Sequence, residues 1–345
     1  MASRGRESVA GRVMGWLRFS IYGLTVEANA PLPGVPRAAA SERPDVRVTL
    51  VGDASQAVEP GAGRRVWYTS SDVDGSGVPW LTVWRGTDYC FVYGEGARFS
   101  IASDGSTIEA GWRPPLDEAD AVSFVLGPVL AFALRLRGAV PLHASGVVVN
   151  GEALLFAGPP GAGKSSTVAA LGALGHRVLS DDVVPLSLVG GQLVASPGFP
   201  RVSVWDDTAL AVMGGDTAPL PPWSESYPKR CLDLEDRGIR FFDQKAPVGR
   251  IYVLQPRGGD GLDMRPLRPR DALVALGTNT FGSYLLDRDM HAHDFAFLGR
   301  AVQGVPVWTL RFTDQLHQLQ PACERLAIAA RELHLGTGGG PVVSW

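Results

Sequence analysis

The sequence predicts a mixed α/β protein of 345 residues, in which a β-rich N-terminal domain precedes a domain built around a phosphate-binding loop. Three observations support this prediction. Apolar and polar residues alternate in several short runs before residue 112, as in half-buried strands. A G-x-x-x-x-G-K-S segment at residues 158–165 lies between an apolar strand pattern and an apolar helix pattern. A short strand that ends in Asp181-Asp182 follows that helix.

Composition and charge exclude several classes of protein. Apolar residues make up 45% and charged residues 19% of the chain, which excludes a disordered protein. A net charge of −3 argues against a nucleic-acid binder. The most apolar run, residues 121–134, is too short to span a bilayer. We therefore expect neither a nucleic acid nor a membrane as a partner.

The ends of the chain and its cysteines indicate a cytoplasmic location. Residues 1–15 are mostly polar, lack the apolar run of a signal peptide and are expected to be disordered. Residues 336–345 are expected to form a flexible tail. The cysteines are odd in number and far apart, which predicts free thiols in a reducing compartment; they are Cys90, Cys231 and Cys323.

Residues 16–115 are predicted to form a small, antiparallel, β-rich accessory domain. A period of two in the apolar residues predicts five of its strands, near residues 18–22, 45–50, 80–84, 98–102 and 107–110. The last two flank Asp104-Gly105, which is typical of a hairpin turn. The aromatic residues of these strands are interpreted as core, with an exposed ligand-binding face as the alternative.

Residues 116–335 are predicted to form the second domain, which begins with a helix over residues 117–137. Acidic residues at the start of this helix and arginines at its end suit the helix dipole. Asn150-Gly151 then separates two apolar runs and is the strongest short signal for a β-hairpin. The strand that enters the phosphate-binding loop is therefore expected to be the second arm of an antiparallel hairpin, whereas such loops usually follow strands of parallel βαβ units.

The segment from Gly158 to Ser165 matches the phosphate-binding pattern at every defined position. Gly161 and Gly163 allow a tight turn that points backbone N–H groups at phosphate oxygens, and the following helix adds the positive end of its dipole. The Lys164 ammonium can reach the β- and γ-phosphates, and the Ser165 hydroxyl can ligate Mg²⁺. A chance glycine-rich turn is the alternative. The residues expected to bind the nucleotide are Gly158, Pro159, Pro160, Gly161, Ala162, Gly163, Lys164, Ser165 and Ser166.

Asp181 and Asp182 end the short strand that follows the loop helix. Two carboxylates at the C-terminal end of a strand near a phosphate-binding loop suit a metal-binding acid and a catalytic base. Asp181 is assigned to Mg²⁺ together with Ser165, and Asp182 is assigned to the base, although the two roles can be exchanged. A solvated turn is the alternative interpretation of the pair.

A segment rich in glycine and proline, residues 214–222, is a candidate lid. Lys229 and Arg230 follow it closely. Two basic residues beside a mobile segment can close over a transferring phosphoryl group, so they are a candidate clamp for phosphate or substrate. A solvated basic pair is the alternative.

The order and spacing of these motifs resemble the catalytic domain of HPr serine kinase/phosphorylase, which is itself related in its loop architecture to phosphoenolpyruvate carboxykinase. The features that carry the resemblance are His143, the hairpin, the loop, Gly175-His176 and the two aspartates. A wider resemblance is to the HPr-kinase-like proteins of peptide-maturation clusters, among them the lasso-peptide serine kinases. Those proteins share an N-terminal segment like residues 22–26 and a helix like residues 126–132.

The resemblance implies an HPr kinase/phosphoenolpyruvate carboxykinase-like P-loop catalytic domain, with ATP and Mg²⁺ as cofactors. It adds His143 to the catalytic group of Asp182 and Lys164, as the residue that positions the base or the phosphoryl group. The chain departs from HPr kinases at Ser166, where they have Glu, and lacks their glycine-rich signature for HPr docking and the phosphorylase reaction. The expected acceptor is therefore a serine-bearing peptide or small protein. A homo-oligomer is left open because hexamers occur among the resembled proteins.

These observations lead to the hypothesis of a serine kinase that transfers the γ-phosphoryl group of ATP to a serine-type hydroxyl. The alternative is a nucleotide-binding regulatory ATPase or switch protein that has no phosphoryl acceptor. A third interpretation, a carboxykinase-like metabolic enzyme, is disfavoured by the length of the chain and by the lack of further metal ligands in the sequence.

Overall fold

The computed structural model describes residues 15–53, 63–73, 75–94, 96–213, 220–221, 229–259, 261–335 and 343–344. Contacts between residues divide the chain into two compact units. The first unit comprises the residues up to Ser20 and Leu24–Arg137, and the second comprises Ile21–Gly23 and the chain from Gly138 onward. The fold is mixed α/β.

The first unit contains an eight-stranded sheet. Its strands are β1 (Leu17–Ile21), β2 (Leu24–Ala28), β3 (Val46–Asp53), β4 (Arg65–Thr69), β5 (Leu81–Arg85), β6 (Asp88–Tyr93), β7 (Ala97–Ala102) and β8 (Thr107–Trp112). They follow the order β1-β2-β3-β8-β7-β6-β5-β4. The predicted hairpin at Asp104-Gly105 joins β7 to β8 and is confirmed. The prediction of an antiparallel domain is wrong in part, because β3 pairs in parallel with both β2 and β8.

A kinked helix follows the sheet, as α1 (Glu118–Phe124), a π-helical turn (Val125–Val129) and α2 (Leu130–Leu136). Asp117 caps α1, because its side chain accepts a hydrogen bond from the Asp120 backbone while the Asp120 side chain accepts one from the Asp117 backbone. The kink lies at Gly127-Pro128, where proline cannot continue the hydrogen-bond ladder.

The aromatic residues of this helix pack into the first unit. The Phe132 ring centroid lies 4.9 Å from that of Tyr89 and 5.0 Å from that of Phe91, and Phe124 lies 4.4 Å from Tyr93. The helix is long and apolar enough to cross a membrane, but 67% of its most apolar stretch is buried inside the protein, as in a core helix. Because the helix groups with the first unit, the contacts place the division of the chain after Arg137 rather than at residue 116.

The second unit alternates strands with helices. Its strands are β9 (Val140–Val149), β10 (Glu152–Ala157), β11 (Arg177–Ser180), β12 (Val183–Val189), β13 (Gln192–Ala195), β14 (Arg201–Val204), β15 (Arg230–Asp233), β16 (Ala246–Leu254), β17 (Asp263–Pro266), β18 (Val307–Arg311) and β19 (Val343–Ser344). Its α-helices are α3 (Lys164–Ala173), α4 (Asp206–Met213), α5 (Pro269–Thr278), α6 (Arg288–Gly304) and α7 (Leu319–Leu335). Three-residue 3₁₀ turns cover Glu235–Arg237, Ser283–Leu285 and Leu316–Gln318.

The long strand β9 takes part in two ladders. Its first residues pair with β12, which continues through β13 to the start of β16. Its later residues pair with β10 and β11, and β10 pairs in parallel with β16. The second ladder therefore has the order β11-β9-β10-β16-β18-β17-β19. The strands β11, β10 and β16 share one direction, so their C-terminal ends meet at one edge.

Strand β10 is buried on both faces. Leu154 and Phe156 belong to a core cluster with residues of α3 and α7, whereas Leu155 and Ala157 belong to a cluster with residues of α5 and α6. This alternation follows from the period of two in a strand. Full burial of one such large apolar side chain contributes about 1.5–3 kcal/mol, so helices on both faces hold β10, and the loop after it, in place.

The predicted hairpin into the loop strand is confirmed. Strand β10 pairs antiparallel with β9, from Glu152 opposite Val149 to Ala157 opposite Ala144. Asn150 and Gly151 between the strands have positive φ angles of 51° and 86°, as a type I′ turn requires. Because Ala157 lies opposite Ala144, the adjacent His143 comes to the same edge as the loop.

Candidate functional site

The phosphate-binding motif forms a loop between β10 and α3. Gly158, Gly161 and Gly163 have φ angles of 156°, 81° and 98°, which L-residues rarely adopt. A β-carbon on Gly158 would lie 3.2 Å from side-chain carbons of Ala162 and Leu254, so a larger residue would require these neighbours to shift slightly. The loop remains open to solvent, because Pro159, Pro160 and Gly161 are exposed.

Lys164 begins α3, and only 6% of its surface is exposed. Its Nζ donates hydrogen bonds to the carbonyl oxygens of Gly158 at 2.8 Å and of Pro159 at 3.1 Å. Burial lowers the pKa of this ammonium, while the charges of Asp182 and Asp181 oppose that effect. The ammonium therefore lies over the loop, close to where a bound phosphate would lie.

Asp181 joins the loop to its neighbouring strands. Its carboxylate accepts hydrogen bonds from the Ser145 hydroxyl at 2.6 Å and from the Ser203 backbone N–H at 2.9 Å, and the Ser165 hydroxyl lies near enough to help lower its pKa. Burial, followed by the charge of Asp182, raises the pKa of Asp181 above its ordinary value, and the hydrogen bonds oppose the rise. Asp181 and Ser165, the two residues predicted to bind a metal, thus lie close together.

Asp182 holds a strained backbone. Its φ is 69°, and the Val183 N–H donates to the Asp181 carbonyl oxygen at 2.8 Å, the hydrogen bond of a γ-turn around Asp182. The Ser180 hydroxyl braces this turn through a 2.6 Å hydrogen bond to the Val183 carbonyl oxygen. A non-glycine residue at such a φ costs on the order of 1–3 kcal/mol, and residues of this kind cluster at active sites. The turn directs the Asp182 side chain, which is 53% exposed, toward His143.

His143 meets Asp182 at the loop edge. The His143 Nδ1 lies 3.3 Å from the Asp182 Oδ1, and the His143 ring packs edge-on against Phe281 at 5.5 Å. The backbone N–H of His143 donates to the Asn279 carbonyl oxygen, which fixes its strand. Burial lowers the pKa of the imidazole more than the charge of Asp182 raises it. A neutral imidazole can donate a hydrogen bond from Nδ1 and so orient the carboxylate.

The residues of this site fit Mg²⁺ held together with a nucleotide. Among the residues that the structure describes, no group of three or more His, Cys, Asp or Glu side chains could hold a metal ion by itself. Mg²⁺ commonly takes only one or two protein ligands and fills its shell with phosphate oxygens and water. The Asp181 carboxylate and the Ser165 hydroxyl beside the loop are such a pair of oxygen ligands.

The predicted clamp residues have different surroundings. Lys229 lies 5.9 Å from the ring centroid of Trp205, and its charge contributes to the lowered pKa of Lys164. Arg230 instead pairs with Asp206 through contacts of 2.7 and 3.2 Å, so the structure brings only Lys229 toward the loop. The candidate lid lies mostly outside the described residues, which include only positions 220 and 221 of it.

Ser166 and the three cysteines also have defined places. The Ser166 hydroxyl contacts that of Thr208 on α4 at 3.2 Å and faces away from solvent, so any contact with a nucleotide would use its backbone N–H. The cysteines are free thiols, as predicted, and all three are buried.

Two side chains near the carboxylates escaped the sequence analysis. Ser145 is fully buried in β9 and holds Asp181; small polar residues in a strand give no local signal of such a role. Tyr22 groups with the second unit, where its N–H donates to the Pro197 carbonyl oxygen and its ring meets Phe199 edge-on. Burial, with the charges of Asp182 and Asp181, raises the pKa of the Tyr22 phenol well above its ordinary value. Tyr22 therefore presents a neutral hydroxyl.

Comparison with known proteins finds partial similarity to HPr kinase/phosphorylases. No family model matches the chain. The HPr kinase/phosphorylases of Thermoanaerobacter sp. (strain X514) and Thermoanaerobacter pseudethanolicus (strain ATCC 33223 / 39E) are each 29% identical to it over 136 residues. The matched region covers 34% of this chain, and the chain spans about half, 45%, of the length of these curated relatives.

A solved structure is also similar, but weakly. The Hpr(Ser) kinase/phosphatase from Coxiella burnetii aligns over 57% of this chain and 99% of its own, with 16% sequence identity and a TM-score of 0.33, which does not establish a common fold. Over part of its sequence, this chain is thus a distant homologue of HPr kinase/phosphorylases.

Proposed function

We propose that the protein is an ATP- and Mg²⁺-dependent kinase that transfers the γ-phosphoryl group to a serine-type hydroxyl. The observation that carries this proposal is the contact between His143 and Asp182 beside Lys164 of the loop. Phosphoryl transfer needs positioning and charge neutralisation more than covalent help, and these side chains offer both. The partial similarity to HPr kinase/phosphorylases supports the same reaction class.

Each side chain has a distinct role in this proposal. The backbone N–H groups of Gly158 and of residues 161–166 hold the phosphates, since Pro159 and Pro160 have none, and Lys164 releases its two carbonyl partners to reach them. Asp182 accepts the proton of the attacking hydroxyl, and His143 keeps that carboxylate in place. Ser165 and Asp181 hold Mg²⁺, which when bound neutralises charge on the phosphates. The activity belongs to the second unit, which contains all of these residues.

The acceptor is proposed from chemistry and from the resemblance. The exposed Asp182 carboxylate suits a hydroxyl that arrives from solvent on a flexible chain, such as a serine of a peptide or small protein. Together with the departures from HPr kinases at Ser166 and in the docking signature, this favours a peptide-tailoring kinase of the lasso-peptide type in the cytoplasm. An ATPase switch without an acceptor is the competing function.

The test follows the γ-phosphate of radiolabelled ATP. The protein is incubated with Mg²⁺, labelled ATP and a panel of serine-containing peptides, HPr and free serine. We expect label on a peptide hydroxyl, lost in Lys164→Ala and in Asp182→Asn but kept in the exposed control Arg300→Ala. Release of free phosphate alone, with every acceptor present, would support the switch and overturn the kinase.

A further inference from the structure

Arg257 reaches the phosphate-binding loop from a different part of the chain. Strand β16 runs parallel to β10, with Val253 opposite Ala157. The chain that leaves β16 therefore emerges beside the chain that leaves β10 and forms the loop. The Gly258 N–H then donates to the Phe312 carbonyl oxygen at 3.0 Å, which fixes the backbone next to Arg257.

The Arg257 guanidinium lies against the glycine that starts α3. A β-carbon placed on Gly163 would lie 3.0 Å from the Arg257 Nη2 and within 3.8 Å of its Nε and Cζ. Gly163 is the N-cap of α3, where backbone N–H groups and the helix dipole both favour an anion. Gly163 has no side chain between its backbone and the guanidinium, which therefore lies directly against this end of the helix.

Arg257 has no anionic partner within the described part of the chain. No hydrogen bond or ion pair joins its guanidinium to any residue there, although the side chain is half-buried. Other arginines of the same unit do have partners, since Arg230 pairs with Asp206 and Arg201 with Asp233. A half-buried guanidinium next to the loop, without a counterion, suits a bound anion.

The strand order indicates which phosphates of a bound nucleotide Arg257 would contact. Strand β10 has β9 and β11 on one side, and these bring His143, Asp181 and Asp182 to the edge. Strand β16, which leads to Arg257, lies on its other side. The transferred phosphoryl group would lie toward the aspartates, so Arg257 would face the part that stays with the leaving diphosphate.

Resting on the proposed function, we propose that Arg257 is a nucleotide-binding residue that contacts the α- and β-phosphates, outside the loop motif. Its fork of N–H donors binds two phosphate oxygens across Gly163, opposite the side from which the acceptor hydroxyl arrives. Arg257 thereby strengthens the binding of ADP and ATP alike and takes no part in choosing the acceptor.

The test compares nucleotide affinities by titration calorimetry, with no acceptor present. Mg·ADP, Mg·ATP and AMP are titrated into the wild-type protein and into Arg257→Ala, Arg257→Lys and the control Arg300→Ala, an exposed arginine on α6. Loss of a charge-assisted contact should raise the Kd of Mg·ADP and Mg·ATP by a similar factor, about 10- to 100-fold, in Arg257→Ala. Arg257→Lys should recover part of the loss, and the control should match the wild type.

Several outcomes would overturn the proposal. Wild-type affinity in Arg257→Ala would show that the guanidinium contacts no phosphate. A loss for Mg·ATP with unchanged Mg·ADP would place the contact at the γ-phosphate. If the wild-type protein bound neither nucleotide, both the proposed kinase function and the role of Arg257 would be wrong. If the wild-type protein bound the nucleotides and Arg257→Ala bound them equally well, only the role of Arg257 would be wrong. Circular dichroism and thermal melting verify that each variant is folded.

Discussion

Asp182 combines a strained backbone with a reactive position. Its positive φ suits glycine, yet a carboxylate occupies it and meets His143. Strain of this kind persists where the surrounding structure fixes the residue, and here the Ser180 hydroxyl and the pairing of β12 with β9 do so. The fold therefore gives up some stability to hold this side chain at the edge.

Two substitutions at Asp182 separate its strain from its chemistry. Asp182→Ala and Asp182→Gly should both abolish phosphoryl transfer, because neither can accept a proton. The glycine variant should be about 1–2 kcal/mol more stable than the alanine variant, since glycine adopts a positive φ without penalty. Denaturant unfolding measures the difference. Equal stabilities of the two variants would show that the turn is unstrained.

The Asp181 carboxylate gives a pH-dependent prediction. Its pKa is raised above the ordinary value of 3.8, so the metal-free fold disfavours its charged form. That destabilisation is full above the folded-state pKa and is lost as the pH falls below the unfolded-state value. In chelator-treated protein, Asp181→Asn should therefore raise the melting temperature at about pH 7.5, with a gain that shrinks as the pH falls toward about 4.

The same substitution should harm catalysis. We expect Asp181→Asn to lower Mg²⁺-dependent transfer about 10²–10³-fold, the usual effect of removing one preorganised electrostatic partner. A variant that is less stable than the wild type at about pH 7.5 would show that the charged carboxylate is well accommodated. Retained transfer would assign Mg²⁺ to Asp182 and exchange the two roles.

At the residue scale, the sequence indicates the motif residues but not the residues from distant segments that lie beside them. The loop and the two aspartates are contiguous in sequence, and their residue types are specific to their chemistry. Ser145 and Arg257 carry no local signature, because their places depend on strand pairings between distant segments. Arg230 had the residue type and sequence position of a phosphate clamp, but the structure pairs it with Asp206.

At the scale of elements, the β9–β10 hairpin sets the direction in which the chain enters the phosphate-binding loop. Gly151 has a φ of 86°, and a β-carbon there would meet no neighbouring atom within 4 Å, so only backbone strain opposes a side chain. Gly151→Ala should thus lower the free energy of unfolding by about 1–2 kcal/mol.

Gly299 provides the matched control for this hairpin variant. It lies within helix α6, and a β-carbon there would also meet no atom within 4 Å. Gly299→Ala should therefore raise the free energy of unfolding by about 0.5–1 kcal/mol. If both alanine variants changed stability in the same direction, the φ-based account of the turn would be wrong.

Elements with local signals were predictable. The Asn-Gly turn and the capped start of α1 are set by a few adjacent residues. The parallel pairing of β3 was not predictable, because its partners β2 and β8 are joined to it by long connections and the pattern of a strand does not reveal its direction. Strands β2, β4 and β6 were missed although they are no shorter than the predicted β1 and β5, because buried and exposed residues do not alternate along them.

At the scale of the whole molecule, all residues proposed to hold nucleotide belong to the second unit. A ligand that binds only the folded state stabilises it, by about 2.7 kcal/mol at one hundred times its Kd. Hydrogen exchange measured with saturating Mg·ADP should therefore slow in peptides of β10, α3 and β16. Peptides of β5 to β8 should keep their rates. Equal protection in both units would show that the nucleotide contacts, or is coupled to, the first.

The division of the chain illustrates what a sequence cannot specify at this scale. The helix over residues 118–136 is apolar around most of its surface, so its sequence does not indicate which sheet it covers. Its phenylalanines meet the aromatic residues of β6, and this choice depends on shape complementarity between distant segments.

The connection of β9, β10, α3 and β11 has a consequence for how the protein folds. These elements follow one another directly, and the segment from His143 to Asp182, which ends just after β11, contains every side chain proposed to react or to bind metal. Their mutual contacts close only short loops, which costs little chain entropy and favours rapid formation. The pairing of β10 with β16 closes a much longer loop. We therefore expect the reactive groups to assemble early as a local nucleus, and Arg257 to join them only when the distant strand docks.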